Sequence, residues 1–167
     1  MTNHAAFAHA DAPLFLFHLL EFSGVPFDID VQELNNRWAD ADNIDGWCQM
    51  VIKHTEDNVD IITEAPESGI WKLAKDGTVS FDRFDYHRRA VESEQEAFFL
   101  RISDKGDYRY EGADLGILIT RGRAMDDKFR LTKRAKQWIN GIKNNYKAKP
   151  LPKAQAVEMS DPAFKIL

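Results

Sequence analysis

The chain has a single cysteine, Cys48, which excludes an internal disulfide framework and is typical of a reducing compartment. A long hydrophobic run is also missing. The most apolar stretch, Leu14 to Phe22, is interrupted by His18 and is much shorter than the roughly 20 residues that cross a bilayer. No positively charged segment precedes this stretch, so it does not have the pattern of a signal peptide. These absences predict a cytoplasmic protein that does not bind or enter a membrane.

The motifs that fix a particular chemistry are missing as well. The glycines lack the spacing of a phosphate-binding loop, and no pair among the five histidines has the spacing of a zinc-binding helix. The segment from Asp40 to Gly46 begins like a calcium loop. With Gly46 at its sixth position, however, its twelfth is Ile52, where a bidentate glutamate is required. We therefore expect no metal and no cofactor, and we favour a protein without catalytic activity.

One local cluster joins a histidine to carboxylates, namely His54 with Glu56, Asp57 and Asp60. It falls where a predicted helix ends, so the pattern does not favour a metal site there. Cys48 lies on an apolar stripe and is predicted to be a core residue rather than a nucleophile. A hydrolase or nuclease stays open as an alternative, because the sequence does not show which carboxylates converge in the fold.

Length and composition predict one soluble domain. A chain of 167 residues, 44% hydrophobic and 29% charged, is long enough to bury a core and is ordinary for a globular protein. We expect a flexible N-terminus at 1–10, a single α+β domain at 11–146, and an extended or mobile tail at 147–167. The tail is predicted because Pro150 and Pro152 end regular structure.

The first third of the chain has the patterns of helices. Capping residues and glycine predict a helix at 12–23 that is apolar on nearly all sides, which leaves a homodimer open. A second helix is predicted at 31–39, where Asp30 and Glu33 resemble a capping box. A third is predicted at 43–55 from an apolar stripe formed by Ile44, Trp47, Cys48, Val51 and Ile52.

A β-hairpin is predicted around Asp76 and Gly77. A three-residue loop, 75–77, pairs Leu73 with Val79 and Trp71 with Phe81, whereas a two-residue loop would mix polar and apolar side chains on each face. The alternation therefore selects the longer loop, with Gly77 in the left-handed position.

Further strands are predicted at 59–63, 97–102, 115–120 and 128–131, with 108–111 returning beside 97–102 through a turn. Thr132 then caps an amphipathic basic helix at 133–146. The order of helices, strands and a helix predicts an α+β fold. Its expected parts are an N-terminal helical unit, a central and mostly antiparallel sheet, and a C-terminal amphipathic basic helix.

Charge is sorted along the chain. Residues 1–100 carry 7 Lys/Arg and 19 Asp/Glu, whereas residues 101–167 carry 15 and 8. The densest stretch, 121–149, holds 10 basic and 2 acidic residues. Such segregation indicates either an anionic partner or two halves of the molecule that attract each other.

The basic stretch supplies the candidate site. We predict a binding or regulatory protein that uses a basic C-terminal surface to bind nucleic acid or another polyanion. An alternative is a protein–protein adaptor or inhibitor whose acidic helical face, 28–64, contacts a protein partner while the basic end compensates internally. The predicted nucleic-acid-binding residues are Arg121, Arg123, Lys128, Arg130, Lys133, Arg134, Lys136 and Lys143.

Overall fold

A computed structural model describes residues 14–26, 28, 30, 32–33, 36, 46–86 and 90–151. Helices and antiparallel sheets make up this part of the chain, which confirms the expected α+β class. The predicted flexible segment 1–10 and most of the predicted helix 31–39 lie outside the described residues. At the start of that helix, the Glu33 amide donates to Asp30 Oδ1 at 2.8 Å, as expected for an N-cap.

A five-stranded antiparallel sheet is the centre of the fold. In spatial order its strands are β1 (Trp47–Lys53), β7 (Asp114–Arg121), β5 (Glu96–Arg101), β3 (Gly69–Leu73) and β4 (Val79–Arg83). A three-stranded antiparallel sheet has the order β6 (Tyr108–Arg109), β2 (Asp60–Glu64) and β8 (Lys147–Pro150). The helices with described bounds are α1 (Leu14–Ser23) and α2 (Lys133–Asn144).

The prediction of a helix at 43–55 is wrong, because 47–53 form strand β1. This strand pairs with β7 along its whole length, from Trp47 opposite Arg121 to Lys53 opposite Asp114. Apolar side chains occur on both of its faces, although one face also carries Gln49 and the exposed Lys53. Met50 and Ile52 enter the core beneath α2, while Trp47 packs on the opposite face. The N-terminal helical unit is therefore not formed as predicted: α1 is present, but the third helix is a strand.

The predicted hairpin is confirmed in register. Leu73 pairs with Val79 and Trp71 with Phe81, and the Ala74 amide donates to the Thr78 carbonyl at 2.8 Å. Gly77 has φ of +94°, the left-handed conformation that the three-residue loop requires.

The structure differs from the predictions in three later segments, 108–111, 128–131 and 147–150. Residues 108–111 do not return beside β5, because β6 pairs with β2 instead. In the predicted strand 128–131, only Leu131 makes a bridge, to Met125. The first residues of the predicted tail, Lys147–Pro150, form β8, and 152–167 lie outside the described residues.

Helix α2 covers one face of the large sheet. The Thr132 hydroxyl accepts a hydrogen bond from the Ala135 amide at 3.1 Å, so the helix begins where the sequence places it. Trp138 and Ile142 are fully buried, and Gly141 lets the helix approach Val79 on β4. On the opposite face a second core cluster contains Ile70, Val91, Phe98 and Ile119.

Helix α1 contributes no described side chain to either core cluster. From His18 to Ser23 its side chains are exposed, including the apolar Leu19 and Phe22. Among the described helices, none is both long and apolar enough to pass through a membrane.

The registers define two ends of the molecule. Ala97 at the start of β5 pairs with Thr120 near the end of β7, and Arg121 pairs with Trp47 at the start of β1. Helix α2 begins at this end, which we call the loop end. The small-sheet end contains β2, β6, β8 and the turn 104–107, which is hydrogen-bonded to Ile62. Because α2 has 12 residues, it separates the two ends by about 18 Å.

Candidate functional site

The loop between β7 and α2 is closed by its own backbone. The Asp126 amide donates to the Arg130 carbonyl at 2.8 Å, and the Phe129 amide donates to the Asp126 carbonyl at 3.0 Å. At the base of the loop, the Thr132 amide donates to the Ala124 carbonyl at 2.9 Å. The loop therefore has a defined conformation although most of its residues are exposed.

The Asp126 carboxylate organises the turn. Its Oδ1 accepts the backbone amides of Lys128 at 2.9 Å and Arg130 at 3.0 Å. Its Oδ2 accepts Nε and Nη2 of the Arg130 side chain at 3.2 and 3.1 Å. The Arg130 amide first, and then the Lys128 amide, the Arg130 guanidinium and the charge of Lys136, hold the pKa of Asp126 below its usual value. The carboxylate therefore stays ionised at neutral pH and keeps the turn closed.

Phe129 stands at the tip of this turn. Its side chain is 87% exposed, and its φ of +57° is the only positive value of a non-glycine residue in the described part of the chain. The left-handed conformation costs a residue with a side chain about 1–2 kcal/mol. Met125 and Leu131, which bridge beneath the turn, are exposed as well. The three-residue loop 127–129 requires a left-handed residue at its third position, as the matching hydrogen bonds at Gly77 show. The turn therefore explains the positive φ, but it does not explain why this position holds a phenylalanine with its ring in water rather than a glycine.

Four of the predicted cations lie close to Phe129 along the chain. Lys128 and Arg130 flank Phe129 in the loop, and Lys133 and Lys136 lie in the first turn of α2. The three lysines are exposed and make no ion pair with any described residue, while Arg130 pairs with Asp126 and is still 69% exposed. We call Lys128, Phe129, Arg130, Lys133 and Lys136 the Phe129 surface.

The position of two of these lysines is unfavourable for the helix itself. The first turn of α2 has no acidic residue and contains Lys133, Arg134 and Lys136. Positive charge at a helix N-terminus opposes the macrodipole and costs a few tenths of a kcal/mol per exposed residue. The stability of α2 therefore does not explain why lysines are found there.

Arg134 and Arg121 have internal partners. Arg134 donates to the carbonyl oxygens of Arg121 at 2.9 Å and Arg123 at 3.4 Å, and it also forms an ion pair with Glu94. Arg121 stacks over Trp47, with its guanidinium carbon 4.1 Å from the ring centroid. These arginines hold the exit of β7 against the segment before β5, so their role is structural.

Lys143 and Arg123 are also engaged. Lys143 lies at the far end of α2, where its Nζ is 2.8 Å from Thr55 Oγ1 and 3.4 Å from Glu56 Oε1. Arg123 pairs with Asp127 at 3.2 Å. Four of the eight predicted residues therefore lie exposed within 128–136, the segment that contains Phe129, whereas Lys143 lies at the far end of α2.

At the small-sheet end, the basic third of the chain pairs with carboxylates of the first hundred residues. Arg109 binds Asp60 with Nε and Nη2 at 3.0 and 2.8 Å, and Lys147 lies 2.6 Å from Glu64. The charge segregation in the sequence is thus partly satisfied internally at this end, where Lys105 and Lys149 remain exposed. At the loop end, lysines remain exposed.

The histidine cluster predicted from the sequence is only partly assembled. His54 is buried, with Nε2 at 3.1 Å from Asn58 Oδ1 and Nδ1 at 2.8 Å from Glu56 Oε2, outside hydrogen-bonding geometry. Within the described residues, no group of three or more His, Cys, Asp or Glu side chains is arranged to hold a metal. Cys48 packs against the core beneath α2, and burial raises the pKa of its thiol.

The sequence does not single out Phe129, because 128–131 have the pattern of a strand. The available signal was Asp126, since an aspartate at the start of a short polar segment can accept the amides that follow it. No model of a protein family, curated protein or solved structure has significant similarity to this chain. Its function is therefore inferred from the placement of its residues.

Proposed function

We propose that this protein is a nucleic-acid-binding protein and that the Phe129 surface is its contact. One observation carries the proposal: a closed turn holds an aromatic ring in solvent within a short segment, 128–136, that has four exposed cations, and three of these have no ion-pair partner among the described residues. Lysine and arginine contact phosphates, and an aromatic ring contacts bases, so both parts of a nucleotide have a matching group.

The net charge of the chain confines the attraction for a polyanion to the Phe129 surface. The chain carries a formal net charge of −5, so the molecule as a whole repels a polyanion. Attraction depends on the loop end, where the lysines are exposed. Four neutralised phosphates would give a slope of log affinity against log salt of about −2.8 for a single strand.

The other two candidate functions have less support. Of the acidic face 28–64, Glu56, Asp60 and Glu64 already pair with basic residues of the same chain. Most of 31–45 lies outside the described residues, so the adaptor or inhibitor alternative stays a prediction. A hydrolase would need converging catalytic groups, and in the described part no metal-binding cluster supplies them.

Fluorescence anisotropy with a labelled oligonucleotide tests the proposal. The wild-type affinity should fall about 50-fold between about 50 and 200 mM salt, as the slope above requires. The double variant Lys133→Glu, Lys136→Glu should lose at least about tenfold at low salt, because it reverses two of the four cations.

The matched control is Lys105→Glu with Lys149→Glu. These lysines are exposed at the small-sheet end, and the double variant changes the net charge by the same amount. The control should retain affinity within about threefold, through long-range charge alone. Equal losses in the two double variants, or no binding by the folded wild-type protein at low salt, would refute the proposal.

A further inference from the structure

We infer that the Phe129 surface takes nucleic acid with unpaired bases, and that Phe129 selects this class by stacking on a base. The inference rests on the proposed function and adds the class of ligand. Its basis is the geometry of the tip: the ring projects from a closed turn and is 87% exposed.

Phe129 is presented without competing contacts. Aromatic pairs are found elsewhere, as between Trp71 and Phe81 or between Phe81 and Phe84, but in the described chain Phe129 stacks on no other ring. Asp126 fixes the turn from beneath, through the amides of Lys128 and Arg130. The backbone that carries the ring is thus fixed before a ligand arrives, which lowers the entropy lost on binding.

An unpaired base fits this presentation better than a duplex. Its face is available to an aromatic ring, and the contact does not depend strongly on which base is present. In a duplex the same contact requires a base step to be unstacked, which opposes binding. Four cations and a net charge of −5 offer little electrostatic attraction to offset that cost.

The cations on either side of Phe129 suit a flexible single strand of nucleic acid. Lys128 and Arg130 are the chain neighbours of Phe129, and the Arg130 guanidinium is held by Asp126 at the base of the turn. A single strand can bend around a projecting tip and bring phosphates to both sides of the stacked base. Lys133 and Lys136 then extend the path along the start of α2.

The test measures the affinity of wild-type protein, Phe129→Leu and Phe129→Tyr for three probes. The probes are single-stranded oligothymidine, the duplex of that strand with oligoadenine, and inorganic polyphosphate, which has charge but no bases. Leucine keeps an apolar side chain and removes the aromatic face, whereas tyrosine keeps the face. The three proteins should have equal thermal stability within a few degrees, since the side chain is exposed.

We expect the wild type to bind the single strand at least about tenfold more tightly than the duplex. Phe129→Leu should lower single-strand affinity about 5- to 50-fold, and Phe129→Tyr should keep it within about threefold. Neither change should alter polyphosphate affinity by more than about twofold, because that probe has no base to stack.

The outcomes separate this inference from the proposed function. Equal binding of single strand and duplex, unaffected by Phe129→Leu but lost in Lys133→Glu, Lys136→Glu, would overturn the ligand class and leave the proposed function standing. No binding of any nucleic acid probe would overturn both. Binding to phosphatidylserine vesicles that requires Phe129, without binding to oligothymidine, would also overturn both and assign the loop to an anionic lipid surface.

Discussion

Asp126 binds Arg130 through both the backbone and the side chain. One carboxylate oxygen accepts the Arg130 amide at 3.0 Å and the other accepts its guanidinium at 3.2 and 3.1 Å. This double contact closes the turn that carries Phe129. The Arg130 cation therefore has a structural role within the loop and still presents an exposed edge to solvent.

Titration should detect the Asp126 contacts directly. In the folded protein the pKa of the Asp126 carboxyl is lowered from its ordinary value of 3.8. The contacts of the carboxylate therefore stabilise the fold fully above pH 3.8, and this stabilisation is lost as the pH falls through the lowered pKa. The backbone amide resonances of Lys128 and Arg130 should shift together with a midpoint below 3.8. A midpoint at or above that value in the NMR titration would show that the carboxylate does not hold the turn.

Replacing Phe129 by asparagine should stabilise the protein. Asparagine tolerates the left-handed conformation better than phenylalanine, and the ring contributes little burial to lose. We expect a gain of about 0.5–1 kcal/mol in the free energy of unfolding, measured with urea. Tyr86→Asn is the control, because Tyr86 is 96% exposed without a positive φ, and it should change stability by less than about 0.5 kcal/mol. Destabilisation by Phe129→Asn would mean that the turn is not strained.

Two adjacent basic residues should have opposite phenotypes. Arg134→Lys should cost about 1–2 kcal/mol of stability, because lysine cannot reach two carbonyl oxygens and Glu94 together. Most of this loss comes from the carbonyl contacts, since Glu94 is 61% exposed and its ion pair is screened. Lys133→Ala should leave stability within about 0.5 kcal/mol and weaken oligonucleotide binding.

Urea unfolding and anisotropy on both variants check this contrast. A loss of stability in Lys133→Ala comparable to that in Arg134→Lys would show that Lys133 supports the fold rather than the surface.

Gly141→Ala should destabilise the protein although alanine is the better helix former. In an exposed helix the change would gain about 1 kcal/mol. Here the added Cβ would overlap the Val79 side chain. The overlap includes the Cβ of Val79, which no side-chain rotation can move away. We expect a net loss of about 1–3 kcal/mol in urea unfolding. As a control, Asn140→Ala at the exposed neighbouring position should raise the free energy of unfolding by a few tenths of a kcal/mol. If both substitutions raised the free energy of unfolding, α2 would have to lie farther from β4 than the structure shows.

The elements that were predicted correctly are those with local signals. The hairpin register follows from Gly77 and from alternation across Leu73 to Val79, all within a few residues. The start of α2 follows from the Thr132 cap and a stripe that includes Trp138 and Ile142. In each case the turn residue and the apolar periodicity agree.

The errors have physical causes of their own. Strand β1 has apolar side chains on both faces, including the half-exposed Val51, so Trp47, Cys48, Val51 and Ile52 also fit a helical stripe, and periodicity cannot distinguish helix from strand. The pairing of β6 and β8 with β2 joins residues far apart in sequence, which no local pattern specifies. The candidate site could be predicted only in part. The density of basic residues in the sequence indicates its lysines, but the position of Phe129 depends on the turn that Asp126 forms.

Chemical-shift mapping of the labelled protein with oligothymidine tests the central claim most directly. If the Phe129 surface is the contact, the amides of 124–136 should shift, and those of β2, β6 and β8, where Arg109 and Lys147 are paired internally, should not. Shifts concentrated at the small-sheet end, or spread evenly over the chain, would contradict the account.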